Sequence, residues 1–290
     1  MPERPDLEYW VPWLARELKG AGIASVKVDK PAVVRVVVRG SFDELVTGAT
    51  IEKVTRRGNF MLFALKGAQL LDMAVSAMLA GRFRIVEPAP KPKLPADRAV
   101  TFHLVDGRTL VYRDDVQMGK VYVLERGAYS TVPGLDKIGV DCLDPKRFTR
   151  EAFRNLAKTR RDQAKVFLMD KAALDFFGNA YADEALFEAK IHPKAFVKKL
   201  SDAQLDALYD AVVEVLRSST DTIFQRKPPL DEKLRDFLSV RLRAGEPCVR
   251  CGTSIRKAGV HGHDAFFCPT CQPDDRGSAI VDWRKLPPKS

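Results

Sequence analysis

Two groups of residues in this chain have the types and spacing to do chemistry. The first is Cys248-x2-Cys251, sixteen residues, then Cys268-x2-Cys271. Each CxxC turn offers two thiolates to one ion, and four sulfurs complete a tetrahedral zinc shell. Gly252 follows the first pair, and Pro247 and Pro269 stand beside the two pairs. A closed four-sulfur shell leaves no position for water. The spacing therefore predicts one structural Zn2+ that organises a fold and does not catalyse. Cys142, apart from the four, reads as a small packed or surface residue. The second group is Met1-Pro2-Glu3. A proline in second place is small enough for the initiator methionine to be removed, which exposes a secondary amine beside the Glu3 carboxylate. Such an amine titrates below a lysine and is a competent nucleophile near neutral pH, able to form an iminium with the C1′ of a sugar. Taken alone, Pro2 is equally what a plain helix entry shows.

Those groups need a scaffold. A chain of 290 residues, 46% apolar and 30% charged, fits about two ordinary globular domains and excludes a disordered, collagen-like or disulfide-dense protein. Its most apolar stretch, Met73 to Ala80, is too short to cross a bilayer and is bounded by Asp72 and Arg82. The first residues carry Glu3, Asp6 and Glu8 and lack the basic run and apolar core of a secretory leader. A cytoplasmic protein without membrane contact is expected, nucleoid-associated if bacterial.

The first half reads as strands. Ile23 to Val28, Ala32 to Val38, Thr50 to Thr55, Phe60 to Leu65, Gln69 to Met73, Val100 to Leu104, Thr109 to Tyr112 and Lys120 to Leu124 are short apolar or β-branched runs between turn residues. Strands at this spacing predict a β-sandwich or barrel. A helix over about Pro5 to Leu18 precedes them, with Leu7, Trp10 or Val11, Leu14 and Leu18 on one face and Pro12 expected to kink it or delay its start. Past Lys146 the period becomes helical: Thr149 to Lys158, Ala180 to Lys190 capped by Asn179, and a long helix from Ser201 to about Ser218 with Ser201 and Gln204 as a capping box.

Charge points to a polyanionic partner. Lys+Arg number 48 against 38 Asp+Glu, a formal net charge of +10. The run Pro145 to Lys165 holds eight Lys/Arg against Glu151 and Asp162, and Arg226 to Lys257 is again basic. Clustered cations facing phosphates release counterions and bind without regard to sequence.

Four pieces then fall in one order along nearly the whole chain: Pro2-Glu3-x-Pro5-Asp6-x-Glu8; Ala164-Lys165-x-x-Leu168-Met169-Asp170; Gly178-Asn179-Ala180-Tyr181-Ala182-Asp183-Glu184-Ala185-Leu186-Phe187 followed by Ile191-His192-Pro193; and Gly245-Glu246-Pro247-Cys248-x-x-Cys251-Gly252-Thr253 with its second pair. Together they resemble the formamidopyrimidine-DNA glycosylase/endonuclease VIII family of base-excision repair enzymes. The resemblance implies an α+β fold: an N-terminal β-sandwich with a leading helix over 1–140, a helix–two-turn–helix domain over 141–235, a zinc finger over 236–275 and a tail over 276–290. It implies a monomer that binds damaged double-stranded DNA, with zinc and no organic cofactor. It implies that Pro2 attacks C1′ of a flipped nucleotide, that Glu3 shuttles protons, and that β- then δ-elimination cuts the strand. Lys165 and Asn179 match positions that hold backbone phosphates.

The chain also departs from the family. Asn59 stands in Arg57-Gly58-Asn59-Phe60 where a lysine is usual. Ser76-Ala77-Met78-Leu79 stands where a His-Leu-Gly-Met-like run is usual. Asp114-Asp115-Val116-Gln117-Met118-Gly119 lacks the usual Arg and Phe before Gly, leaving Leu79, Gln117 and Met118 as apolar or amide wedges. His263 falls at the finger's usual arginine. The stretch Arg226 to Asp236 is shorter than the one that covers the base in the 8-oxoguanine-excising branch. Retention of Pro2 and Glu3 favours a bifunctional glycosylase and abasic-site lyase. The losses at Asn59 and His263 define the alternative, a lesion-binding DNA protein on the same scaffold without turnover. A bare zinc-ribbon adaptor leaves the Pro2 and Asn179 motifs unexplained.

Overall fold

In the computed structural model, which describes residues 2–175 and 177–274, the apolar runs of the first half assemble into two sheets. The expected removal of Met1 and the expected tail over 276–290 lie outside the described residues. The first elements are α1 (Arg4–Leu18), β1 (Ile23–Val28), β2 (Val34–Val36), α2 (Phe42–Val46), β3 (Thr50–Arg57), β4 (Phe60–Lys66), β5 (Leu70–Ser76), β6 (Arg82–Val86), β7 (Arg98–Leu104), β8 (Thr109–Arg113) and β9 (Lys120–Glu125). The four-stranded sheet runs β1-β7-β8-β6 and the five-stranded sheet runs β2-β9-β5-β4-β3. Only β2 with β9 is parallel. Phe63 of one sheet meets Phe83 of the other at 5.7 Å between ring centroids, and Phe83 meets Tyr112 at 5.3 Å. This is the sandwich core expected from the alternation.

Two elements escaped the periodicity. The five-residue α2 is too short to show a period, yet Ser41 caps it, accepting from Glu44 N at 3.4 Å. Strand β6 carries Arg82 and Arg84 and reads as a loop until its partner β8 is known. Pro12 does not delay α1, which starts at Arg4 and continues past the proline to Leu18. The Ala32 to Val38 run forms a strand only over Val34–Val36, because Pro31–Val33 coils into a 3-10 turn.

Further along lie α3 (Arg150–Lys158), α4 (Ala164–Met169), α5 (Asn179–Glu188), α6 (Asp202–Arg226), β10 (Arg256–Val260) and β11 (His263–Phe267). The short α4 was not foreseen. Helix α6 extends eight residues past its expected end near Ser218. Its capping box is present: Ser201 N donates to Gln204 Oε1 at 2.9 Å and Gln204 N to Ser201 Oγ at 3.2 Å. The chain divides into two compact units, Met1–Gly139 with Leu216–Leu234, and Val140–Val215 with Arg235–Ser290. The second unit has its own core, in which Phe148 stacks on Tyr209 at 4.9 Å and Phe153 meets Phe167 at 5.6 Å. Among the described residues no helix is long and apolar enough to cross a membrane.

Candidate functional site

In the first unit, Pro2 and Glu3 are set by the start of α1. Glu3 is the helix N-cap, with extended backbone, and Pro2 stands just outside it. Glu3 N donates to Asp6 Oδ2 at 2.7 Å, and the two acids close a capping box. Glu3 is only 4% exposed, and Pro2 is buried beside it. The sequence singled out Glu8 in the motif but gave it no role. Its Oε1 receives Arg4 Nε at 2.5 Å and Arg56 Nε at 3.1 Å, and Arg56 Nη1 donates to Gly58 O at 2.8 Å. One carboxylate thus ties the N-terminal turn of α1 to the β3–β4 turn. Gly58 has φ +58, and a Cβ there would lie 2.5 Å from Ile138 Cδ1, so a larger residue would strain the turn and displace the Ile138 side chain.

Two loops cross between the sheets side by side. Ser76 pairs with Lys120 and Arg82 with Arg113, so residues 77–81 and 114–119 leave the same strand ends. Leu79, Val116 and Met118 are 53%, 47% and 45% exposed. The loop behind them is stiff. The fully buried Asp114 accepts from Val116 N at 3.2 Å, Gln117 N at 2.9 Å and Gly119 N at 2.7 Å. Met78 and Gln117 both hold positive φ, at 42° and 58°. A Cβ on Gly119 would lie 1.9 Å from Tyr112 Oη. Lys30 Nζ donates to Asp114 O at 2.9 Å and Lys233 Nζ to Leu79 O at 3.1 Å, so an apolar ridge is flanked by cations.

In the second unit, Gly178 is the N-cap of α5 and Asn179 is its first residue, so the helix starts one position earlier than the sequence suggested and Asn179 does not cap it. Asn179 Oδ1 is buried without a hydrogen-bond partner among the described residues. Lys165, expected on a phosphate, is 0% exposed. Its Nζ pairs with Asp183 and donates to Asn179 O at 3.2 Å, so it lies against α5 and not in solvent. Asp183 also receives Arg241 Nη1 at 2.9 Å. Burial pushes the Asp183 carboxyl up, and Lys165 and Arg241 pull it back. Burial likewise pushes Glu184 up, against backbone donors from Ser239 at 2.7 Å, Val240 at 3.0 Å and Arg241 at 2.9 Å. Asp183, Glu184 and Arg241 were missed as working parts, although the first two sit inside the Asn179 motif.

The basic run 145–165 is not a free stripe. Arg150 meets Asp210 at 2.5 Å, Arg154 meets Asp206, and Lys158 meets Asp202 at 2.5 Å. Arg160 meets Asp162 at 2.7 Å and Asp170 at 2.5 Å. With Lys165 on Asp183, five of the eight cations have acidic partners. The steps of four on α3 and α6 run in opposite directions, which fixes the two helices antiparallel.

The zinc residues converge. All four Sγ atoms lie within 4.8 Å of one another; Cys251 to Cys268 and Cys251 to Cys271 are 3.5 Å, and Cys248 to Cys271 is 3.9 Å. A tetrahedral shell with zinc–sulfur bonds near 2.3 Å needs sulfurs about 3.8 Å apart, so the set fits one zinc. Hydrogen bonds from Thr253 draw the Cys251 thiol down to about 6, while burial pushes Cys271 up to about 12. The charge of the ion offsets that burial. Phe187 of α5 packs with Val240, Ile255 and Phe266, so the finger is seated on α5. Arg250 Nη1 adds a bond to Phe187 O at 2.6 Å. His263 is exposed at the hairpin tip, beside a turn in which His261 and Gly262 have φ 46° and 79°.

Comparison with known proteins agrees with this layout. Residues 1–121 match the formamidopyrimidine-DNA glycosylase N-terminal domain, 138–225 its H2TH domain, and 245–273 a zinc finger found in FPG and IleRS. The chain is 33% identical to the formamidopyrimidine-DNA glycosylase of Symbiobacterium thermophilum, over 99% of this chain and 94% of that one. It is 32% identical to the enzyme of that name from Pelotomaculum thermopropionicum, over 94% of this chain and 99% of that one. Among solved structures it is similar to Lactococcus lactis Fpg in complex with an abasic site containing DNA, with TM-score 0.82 and 25% identity, covering 94% of this chain and 100% of that one. The same protein with an oxidized pyrimidine containing DNA gives TM-score 0.82 and 26% identity, with the same coverage.

Proposed function

Because the chain belongs to the formamidopyrimidine-DNA glycosylase family, a family of bifunctional glycosylases and abasic-site lyases with a structural zinc finger, we propose that it excises damaged bases from double-stranded DNA and cuts the resulting site through an iminium on Pro2. The observation that carries this reading is the buried Pro2–Glu3 pair held at the start of α1 by Asp6. The proline amine, once Met1 is removed, sits at the positive end of the helix dipole, which disfavours a second positive charge there.

The steps follow from those two residues. The damaged nucleotide leaves the stack, since C1′ is out of reach inside a duplex. The Pro2 nitrogen forms a bond to C1′ as the glycosidic bond breaks and the base departs with a proton. Glu3 carries protons between the opened sugar and the intermediates. The iminium acidifies the C2′ hydrogen, so β-elimination releases the 3′ side and δ-elimination the 5′ side. Asn179, at the start of α5, holds a backbone phosphate by its amide and the free N–H groups of the first turn. Lys165 serves the same phosphate from beneath, fixing Asn179 through its carbonyl. The ridge of Leu79, Gln117 and Met118 fills the gap left in the stack.

Glu3→Gln tests the reading. It keeps an acceptor for the capping box and removes the proton carrier. In single-turnover assays on a duplex with one oxidised base, excision should fall at least about a hundredfold, the range for losing one general acid–base group. Affinity for an abasic duplex should stay within twofold. Undiminished excision would remove Glu3 from the chemistry.

A further inference from the structure

The second unit contains a second lysine-rich segment whose charge is met very differently from that of 145–165. Between residues 190 and 199 the chain has four lysines, Lys190, Lys194, Lys198 and Lys199, and no acidic residue. None of the four has an ion-pair partner among the described residues, and neither does Arg256 on β10. Lys190, Lys198, Lys199 and Arg256 are exposed. Of the nearby acids, Glu188 is engaged with Arg250, Asp202 with Lys158 and Asp264 with Lys257, which leaves Asp274 as the one acid among the described residues that shares a cavity lining with these cations.

The segment folds around two adjoining cavities that share His192 as a wall. One, of about 450 Å3, is lined by Lys190, Lys199 and Phe196. The other, of about 260 Å3, is lined by Lys194, Arg256 and Asp274. Lys199 Nζ lies 5.6 Å from the centre of the exposed Phe196 ring. His192 is fixed between them, its ring edge-on to Phe267 at 4.8 Å and its Nδ1 accepting from Lys194 N at 3.2 Å. The surface stands past the C-terminus of α5, whereas Asn179 is at the N-terminus. Ten helical residues separate the two by about 15 Å.

We propose that Lys190, Lys194, Lys198, Lys199 and Arg256 form a second nucleic-acid surface, distinct from the Asn179 site, that holds the phosphates of DNA lying outside the segment gripped at the lesion. The inference rests on the DNA reading above and extends it. Unpaired cations around an exposed ring suit phosphates with bases beside them, and such contacts release counterions without reading sequence. The surface would keep the enzyme on long DNA between lesions.

The test is the full-length variant Lys194→Gln/Lys198→Gln/Lys199→Gln, accepted only if its zinc content and melting match wild type. Binding is titrated against salt on two probes: an abasic-analogue duplex of about 12 base pairs, little more than one turn, and lesion-free linear DNA many times longer. On the long DNA, the slope of log K against log salt should fall by about 2 to 3, as expected for three lost phosphate contacts at about 0.9 each. On the short duplex, affinity should stay within twofold. Equal loss on both probes would overturn the proposal by placing these lysines in the lesion grip. No loss on either would overturn it in favour of another partner, such as an acidic protein. Failure of wild type to bind either probe would overturn the DNA reading itself, and this surface with it.

Discussion

Asn59 donates from Nδ2 to the Oγ of Ser76 at 2.8 Å. The first stands in the β3–β4 turn and the second at the end of β5, directly across from Phe60. Both are positions at which the chain departs from the family pattern, and the two departures are bonded to each other. A neutral pair therefore replaces charge near the turn that Arg56 ties to α1. Asn59→Lys should restore a cation there. On an abasic duplex it should steepen the salt slope by about 1. An unchanged slope would show that the turn faces no phosphate.

Asp183 pairs with the buried Lys165 and is shared with Arg241. Asp183→Leu should destabilise the second unit by about 3 to 5 kcal/mol, because it leaves a buried ammonium without its carboxylate. Lys165→Met with Asp183→Leu should recover much of that loss. Urea denaturation of the single and double variants checks it; a double variant no more stable than the single would show that the pair is not coupled.

Acid should loosen the α3–α6 contact. The Lys158 ammonium holds Asp202, and the Arg154 guanidinium holds Asp206, below the usual carboxylate range. A depressed folded pKa gives stability that is present above the unfolded value, near 3.9, and lost as pH falls through the folded one. Melting temperature should therefore fall below about pH 4. Asp202→Asn/Asp206→Asn should flatten that fall. An identical acid profile in the double variant would show that these pairs contribute nothing.

Cys268→Ser should release zinc and unfold the finger, since closing a four-thiolate site contributes on the order of 10 kcal/mol. Cys268 is fully buried and its N–H is bonded to Gln272 Oε1 at 3.0 Å. Metal content and protease resistance of the β10–β11 hairpin report the outcome. A variant that keeps its zinc and its resistance would deny the ion its structural role.

The parts of the fold that the sequence disclosed are those whose signal is local. The cysteine spacing, the Ser201–Gln204 box and the strand alternation each depend on neighbours a few residues apart. What it concealed depends on partners far along the chain. Lys165 reads as a surface cation until Asp183 and Asn179 are folded onto it. The run 145–165 reads as a DNA-facing stripe until α6 supplies Asp202, Asp206 and Asp210 at the matching steps. That match was visible as two four-residue periods of opposite charge. The converse holds at Lys190 to Lys199, where sequence drew no attention and the fold leaves the charge unmet. Arg56 on Glu8 and the Asp114 loop are likewise long-range or turn geometry, beyond what periodicity reports.

The most direct measurement is borohydride reduction of the reaction on an abasic duplex, followed by peptide mapping of the adduct. The expected result is a covalent sugar remnant on the peptide that begins at Pro2, with Met1 absent, and no adduct when an N-terminal tag turns that amine into an amide. An adduct on a lysine, or equal trapping by the tagged protein, would contradict Pro2 as the nucleophile.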